Sequence, residues 1–526
     1  MKRISINISD TFKNKMMKAK VEKTRIKMFQ PARHTGLSMA GRPALILVVT
    51  LILLGSCKDF LTENLKGSFS TETFYKNDKQ ALQAITGTYN ALSFSSADNI
   101  IWVFGDVASD DAIKGGNPGD QSEIIPIDNF TANPANGMII KFWTFTYEAI
   151  TRANNVIANV PGVQMSDTLK NRIIGEAKFI RAYSYFNLVN IFGKVPLKLF
   201  PQLTQETINV PLSEVSAIYI QIEKDLTEAA AVLPVSYTLP DVGRVTKGAA
   251  LAMLGKASLY EQKWTAATGY FQQVEGLGVY SLLPDYANNF KLAYNNSSES
   301  IFAIQHLSGQ NPMTGNNLNQ WFAPAEEGGY YFNAPTQSLV DAFEKSATGE
   351  VDPRLDASIG RDGQPWLNGD LFSASWSPNT GYLTKKHQQP LSEVSAALKG
   401  DGGLNYIYLR YADVLLMNAE AYNESGNTDQ AKVYLNKVRQ RARASFKGTP
   451  PADLLADVTT ADQTLLRTAI QNERRVELAQ EFHRYFDLTR WGKTIAEAAL
   501  GKDYNYDTKR YFPIPQAELD KNQAIK

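Results

Sequence analysis

The 526-residue chain holds a single cysteine, Cys57, and four histidines. One cysteine excludes a disulfide framework and any thiolate-rich zinc or iron–sulfur site, and four scattered imidazoles leave little for a histidine metal cluster. No metal or cofactor is expected. Net charge is nearly absent too: 54 Lys and Arg against 53 Asp and Glu give +1, which argues against bulk electrostatic capture of nucleic acid. No G-x-S-x-G, H-E-x-x-H or G-x-G-x-x-G pattern occurs, so the best-defined hydrolase, zinc-protease and dinucleotide signatures are missing. Gly492-Lys493-Thr494 ends like a phosphate-binding loop, but Asp487 stands where the leading glycine must be, so no backbone nest precedes the lysine. A carboxylate pair for glycoside hydrolysis stays open, because any two of the many acids could meet in space. His306, His387 and His483 are far apart in sequence and read as structural histidines rather than bases.

The near-zero charge averages two unlike segments. Residues 1–43 carry eleven Lys and Arg but only Asp10 and Glu22, and residues 44–57 carry no charge. Removing these from the totals leaves 43 basic and 51 acidic side chains beyond residue 57, a net of −8. Ala44 to Leu54 is an apolar run of eleven residues, short of the roughly 20 that span a bilayer but right for the h-region of a secretory signal. It ends in Leu54-Gly55-Ser56-Cys57, which looks like a lipobox: cleavage before the cysteine, acylation of its thiol and of the new amine, and a mature chain of 470 residues. Met28 and Met39 offer later starts within the long basic segment. Several acyl chains, at roughly 0.8 kcal/mol per buried CH₂, would hold such a protein on a membrane. The expected division is a signal peptide over 1–56 and one domain over 57–526.

Beyond Cys57 helical periodicity dominates. Apolar sets spaced i, i+3, i+4, i+7 occur at Ala267, Tyr270, Phe271, Val274, at Ala412, Leu415, Leu416, Ala419, and at Ala431, Tyr434, Leu435, Val438. They fall in pairs. Thr246 can cap a helix to Tyr260, with Trp264 opening its partner; Gly426 and Asn427 separate a helix over Tyr406–Ser425 from one over Asp429–Arg443. Further helices are predicted at Ile140–Asn159, Asp167–Phe192, Glu214–Val232 and Gln463–Arg490. Paired antiparallel helices of this length resemble tetratricopeptide units of about 34 residues. The fold class is therefore mainly α, a tetratricopeptide-like helix-pair scaffold. Between about 279 and 405 the period fades into a stretch rich in Gly, Pro, Asn, Trp and Tyr, too long for a plain loop and so a folded insertion.

Charged clusters read as structural. Asp106, Asp110 and Asp111, near Gly115 and Gly116, lack EF-hand spacing and fit a turn with helix-capping aspartates. Glu473, Arg474, Arg475, Glu477, Glu481, Arg484, Asp487 and Arg490 alternate in sign at helical spacing, an intramolecular salt-bridge lattice rather than a nucleic-acid patch. Aromatics make up 11% with seven Trp. Trp143 and Trp264 fit helical core positions. Trp321, Trp366 and Trp376, with Tyr330, Tyr331 and Phe332, fall in the insertion, and Trp102 lies in an early non-helical segment beside Asn99. Rings flanked by amides and carboxylates suit a sugar, whose C–H face packs on the ring while amides bond its hydroxyls. The alternative is that these rings form the insertion's own small core.

The residues then resemble a known family. Cys57-Lys58-Asp59-Phe60-Leu61, Arg181-Ala182-Tyr183, Phe192-Gly193-Lys194-Val195-Pro196-Leu197 and Asp352-Pro353-Arg354 recur in order, as do Leu409-Arg410-Tyr411-Ala412-Asp413-Val414-Leu415-Leu416 and Glu473-Arg474-Arg475. His483-Arg484-Tyr485-Phe486-Asp487-Leu488, Arg490-Trp491-Gly492 and Phe512-Pro513-Ile514-Pro515 complete the set. Together they are similar to SusD/RagB-type outer-membrane lipoproteins of the Bacteroidetes over essentially the whole mature chain. Phe482 departs from the pattern, which more usually has Gly there; a bulky ring at that point is expected to repack its helix without altering the fold. The resemblance implies a non-enzymatic, lipid-anchored, surface-exposed outer-membrane protein. It would bind oligosaccharides, or in some branches peptides, and serve a SusC-type TonB-dependent transporter. It implies a ligand region at Trp102 and around Tyr294, Trp321 and Tyr330, with Asn99 beside Trp102 and Cys57 as the lipidation site, while the acidic charge of the body argues against a nucleic-acid partner. A lipid-anchored glycoside hydrolase is the remaining alternative.

Overall fold

The computed structural model describes residues 74–94, 99–201, 209–367, 369–501 and 503–525. The basic leader, the apolar run and the lipobox with Cys57 lie outside them. Among the described residues the body is mainly helical, in keeping with the predicted class. Its principal helices are α1 (Asp78–Asn90), α2 (Gly137–Asn159), α3 (Asp167–Phe192), α4 (Val215–Val232), α5 (Lys247–Tyr260), α6 (Trp264–Gly276), α7 (Tyr411–Glu424), α8 (Thr428–Ala444), α9 (Gln463–Glu477), α10 (Arg484–Trp491) and α11 (Lys493–Leu500). Side-chain caps set many of their starts. Asn136, Ser166, Thr246, Asn427 and Asp462 each accept a hydrogen bond from a backbone N–H in the first turn of the following helix, satisfying donors a helix cannot satisfy itself.

The helices stack in sequence order, α2 on α3, α3 on α4, α4 on α5 and α5 on α6, while α7 pairs with α8. Helix α3 is apolar on most faces, with Phe179, Tyr183, Tyr185 and Phe186 buried, as a helix enclosed by neighbours must be. Helix α5 is buried from Gly248 to Leu259 and rich in alanine; a Cβ on Gly255 would lie 2.2 Å from the Phe271 ring, so the α5–α6 crossing is close because that side chain is missing.

Helix α6 packs directly on α7 although more than a hundred residues separate them. The intervening chain leaves the helical stack and returns through an antiparallel pair, β4 (Ser300–Ile304) with β8 (Tyr406–Arg410), which closes its base. This corrects the predicted helix Tyr406–Ser425. Its first five residues are a buried strand, because aromatic and β-branched side chains there meet β4, and the helix begins at Tyr411. Two further antiparallel pairs involve the insertion: β1 (Ala112–Gly115), from the early part of the chain, holds β5 (Phe332–Pro335), and β6 (Ile359–Gly360) with β7 (Leu383–Thr384) lies within it. The short pair β2 (Val195–Pro196) with β3 (Leu212–Ser213) joins α3 to α4.

The predicted helix Gln463–Arg490 is two helices. It breaks after Glu477 because Gln480 and Phe482 take left-handed backbone, φ 59° and 70°, which costs a residue bearing a side chain about 1–2 kcal/mol. The Phe482 ring offsets this from within the core, stacking on His387 at 4.7 Å and lying 5.1 Å from Tyr406. Its N–H donates to Asp106 Oδ1 at 3.0 Å. Gly105 makes this approach possible, since a Cβ there would stand 2.2 Å from the Phe482 carbonyl oxygen.

The expected salt-bridge lattice is present, but most of its bonds run between elements rather than along one helix. At its centre the Glu477 carboxylate accepts from Arg354 Nη1 at 2.8 Å, from Arg410 Nη1 at 2.6 Å and from Arg441. Arg354 also reaches Asp352 and Glu473, and Arg410 reaches Glu299 and Glu481. Glu481 also holds Lys386 at 2.8 Å. Burial alone would raise the Glu477 carboxyl, yet Arg441, Arg410 and Arg354 hold it well below the usual carboxylate range. A second knot joins Lys256 of α5, Asp413 of α7, Arg474 of α9 and Asp487 of α10. Asp110 and Asp111 do not cap a helix as predicted; they pair with Arg475 and Arg484.

Replacing Glu477 by Gln removes the one carboxylate shared by three buried guanidinium groups, leaving them Asp352, Glu473, Glu299 and Glu481, and the expected loss is about 3 kcal/mol, read by chemical denaturation. Because the folded state keeps Glu477 ionised to lower pH than the unfolded chain does, its contribution is full above about pH 5 and fades toward pH 2. The stability gap between wild type and E477Q should narrow over that range, and a pH-independent gap would contradict the assignment. Phe482→Gly relieves about 1–2 kcal/mol of backbone strain but removes a buried ring worth about 3–5 kcal/mol, so the variant should be less stable.

Candidate functional site

The sequence reading places Trp102 and Asn99 on a ligand surface, and the structure buries both. Trp102 is 2% and Asn99 4% exposed. Trp102 meets Phe322 edge-on at 5.3 Å and stacks with Phe332 at 6.2 Å, while Asn99 Nδ2 donates to the Leu92 carbonyl at 2.8 Å. Their residue types fit a sugar site, but Phe322 and Phe332 of the insertion cover Trp102, and Asn99 lies among Leu92, Phe94, Phe142 and Tyr183 of the helical body, which no local pattern reveals. Trp366 is buried with Phe372 and Leu383 and packed by Trp376, so these two rings form a small core of the insertion.

Trp321 and Tyr330 come together at the surface. Their ring centroids are 5.3 Å apart, and both contact Phe332, Trp321 at 5.5 Å and Tyr330 nearly parallel to it at 6.0 Å. A stack of rings thus runs from Trp102 in the core through Phe332 to a half-buried Trp321 and a Tyr330 that is 40% exposed. Backbone shape builds it. Tyr331 and Asn333 have φ of 43° and 54°, and each is pinned by its side chain: Tyr331 Oη donates to Asn117 Oδ1 at 2.8 Å, and Asn333 Nδ2 donates to Asp106 Oδ2 at 3.1 Å. Left-handed residues held by their surroundings recur at ligand sites. Gly116 leaves room for the stack, since a Cβ there would lie 2.3 Å from the Phe332 ring.

Polar groups edge the platform. Gln320 Nε2 donates to the Gly328 carbonyl at 3.1 Å and the Tyr330 N–H to the Gln320 carbonyl at 3.1 Å. Asn317 adjoins, opposite Gly400. Beneath, Lys114 Nζ sits 5.2 Å from the Phe332 ring centre and donates to the carbonyls of Gly115 and Asn117. Buried Glu327 anchors the turn by accepting from Trp366 Nε1 at 2.7 Å and Lys399 Nζ at 2.8 Å. Sequence reasoning missed Gln320, Glu327, Lys114 and Lys399; only the amide next to Trp321 offered a signal. Tyr294, 37% exposed, lies on a separate turn, Leu292–Tyr294. That turn is tied in by Asn295 Nδ2 donating to the Gly403 carbonyl at 2.8 Å.

The three histidines of the body are buried. Burial pushes the imidazoles of His306, His387 and His483 down to about 4; His306 and His387 each bond a backbone carbonyl, and His483 lies against Lys256. Among the described residues no group of three His, Cys, Asp or Glu could hold a metal ion, and no helix is long and apolar enough to cross a membrane.

A helix-pair stack carrying a folded insertion, with an aromatic platform on that insertion, defines a scaffold of the tetratricopeptide-like binding class. A profile described as the SusD family matches residues 298–526, and one described as starch-binding associating with outer membrane matches residues 64–259. A laminarin binding SusD-like protein of known structure is 30% identical, with 85% of this chain and 98% of that chain covered and a TM-score of 0.72. SusD-like protein P2 of Formosa agariphila is 28% identical over 507 residues, 91% of this chain and 97% of the relative. Surface glycan-binding protein A from Bacteroides thetaiotaomicron, solved with laminarihexaose, is 22% identical, covers 85% of this chain and 98% of its own, and has a TM-score of 0.69, a likeness of fold. The chain belongs to the SusD family.

Gly329 lies in the turn before Tyr330, where a Cβ would stand 2.1 Å from the Ala323 carbonyl oxygen. Gly329→Ala should displace Tyr330 from Trp321, lowering the melting temperature and weakening the near-ultraviolet circular dichroism of the coupled rings. An unchanged spectrum would show that the turn does not set the platform.

Proposed function

We propose that this protein binds a neutral glucan of the laminarin type on the Trp321–Tyr330 platform, without catalysing its cleavage. The observation that carries the reading is the stack of rings ending in two accessible aromatic faces, edged by Gln320 and Asn317. A pyranose places its C–H face on such rings and its hydroxyls on the amides. The 30% identical laminarin-binding relative supports the choice of glucan. Trp102 supports the platform from within through Phe332. Acylated at Cys57, the chain would sit on the outer membrane with its platform outward and pass the glycan to a SusC-type TonB-dependent transporter. The lipobox-like segment and the profile description of outer-membrane association support that placement.

Isothermal titration with laminarin tests the reading. Trp321→Ala and Tyr330→Ala should each weaken binding about tenfold or more, roughly 1.4 kcal/mol, in variants that a thermal melt shows folded at the titration temperature. Trp102→Ala should instead lower stability by about 3–5 kcal/mol as a buried large-to-small change. Unaltered affinity in both platform variants would refute the site.

A further inference from the structure

A second concavity lies where the α4–α5 linker meets the root of the insertion. It is a cleft of about 190 Å³, below the roughly 300–1,000 Å³ of drug-sized pockets, so it suits one sugar ring rather than an oligosaccharide. Two aromatic rings, Tyr237 and Tyr280, stand in its wall with the hydroxyls of Thr246, Ser297 and Ser298. Thr246 Oγ1 and Tyr280 Oη are 2.8 Å apart, and Ser297 Oγ is buried without a hydrogen-bond partner. The one charge in the wall is neutralised: Arg244 pairs with Asp241 at 2.6 Å and Glu176 at 3.0 Å. Val235, Val242, Val279, Ile301 and Phe302 complete the wall, and a mixed wall of rings, hydroxyls and aliphatic side chains with its one charge satisfied suits a neutral polyhydroxy ligand better than an anion.

A network of amides, in which Asn405 and Asn316 are buried, ties the cleft rim to the segment that carries the platform. Asn296, on the cleft rim, exchanges hydrogen bonds with Gln305 at 2.9 and 3.0 Å. Gln305 Oε1 accepts from Asn405 Nδ2 at 2.9 Å, and the Asn405 N–H donates to Asn295 Oδ1 at 3.1 Å. Asn295 is bonded to Gly403, and the Asn316 N–H to Gly402, which leads to Asn317 and Gln320 beside Trp321. The linker abuts this network, because a Cβ on Gly243 would lie 2.5 Å from the Gln305 side chain.

We propose that the Tyr237–Tyr280 cleft is a second subsite for a neutral sugar residue, engaged by a glycan chain that also lies on the Trp321–Tyr330 platform. The inference rests on the platform reading and adds that chain length governs affinity, since only a long chain engages both places and gains from the raised effective concentration of its second contact.

The experiment is isothermal titration of laminarin and of laminaritriose into wild type, Ser236→Trp and Trp321→Ala, each checked by thermal melt. Ser236 is an exposed residue of the cleft wall, and an indole there fills the cleft. Ser236→Trp should weaken laminarin about tenfold and leave laminaritriose unchanged, whereas Trp321→Ala should weaken both. If Ser236→Trp melts early, the double variant Asn296→Ala with Ser298→Ala makes the same comparison. Laminarin affinity equal to wild type in a folded cleft variant overturns the second subsite while the Trp321→Ala loss keeps the platform. Loss in the cleft variant with none in Trp321→Ala overturns the platform instead, and a wild type that binds no laminarin overturns both.

Discussion

Glu477, at the end of α9, accepts hydrogen bonds from Arg354, Arg410 and Arg441 with all four side chains buried. The carboxylate and each guanidinium had to leave water, and the desolvation penalty is offset only because every partner is in place. Arg354 comes from the insertion, Arg410 from the strand that returns it to the helices, Arg441 from α8. One carboxylate therefore ties three parts of the chain that are distant in sequence into a single relative position. Such an arrangement contributes specificity more than strength, since misplacing any piece would leave a buried charge unpaired.

The platform depends on that constraint. Its rings stand on an insertion whose own strands are two-stranded pairs, and isolated pairs of strands are marginal in water. The insertion gains rigidity by docking: Leu339, Phe343 and Leu355 pack on Val476 and Ala479 beside α9, β1 pairs with β5, and Asp110 and Asp111 bind Arg475 and Arg484. The left-handed turns at Tyr331, Asn333 and Phe482 are held within the same framework. Aromatic faces held this firmly need not order themselves before the proposed ligand binds, and that ordering is where weak stacking sites otherwise lose affinity.

Much of the helical scaffold was legible because period and caps are local. Thr246, Asn427 and Ser166 mark helix starts by their side-chain oxygens, and α3 occupies the residues its pattern indicates. Two boundaries were not legible. Tyr406–Arg410 has apolar spacing that suits a helix or a buried strand, and pairing with β4 across the insertion decided it. The break after Glu477 reflects left-handed residues at Gln480 and Phe482, neither of which is glycine. The site was legible in part: Trp321 and Tyr330 meet at the surface, while Trp102, of equal promise by residue type, is enclosed.

The sequence by itself determined the helix-pair class and the acidic body behind a basic, lipobox-like leader, because apolar period, capping chemistry and charge runs are properties of neighbouring residues. It also held the family resemblance and the aromatic richness of the insertion. Only the tertiary structure decided which rings are accessible and which carboxylates meet which guanidinium groups. Those outcomes depend on contacts between residues distant along the chain: Trp102 is covered by Phe322 and Phe332, and Glu477 is met by Arg354, and no local pattern encodes either meeting.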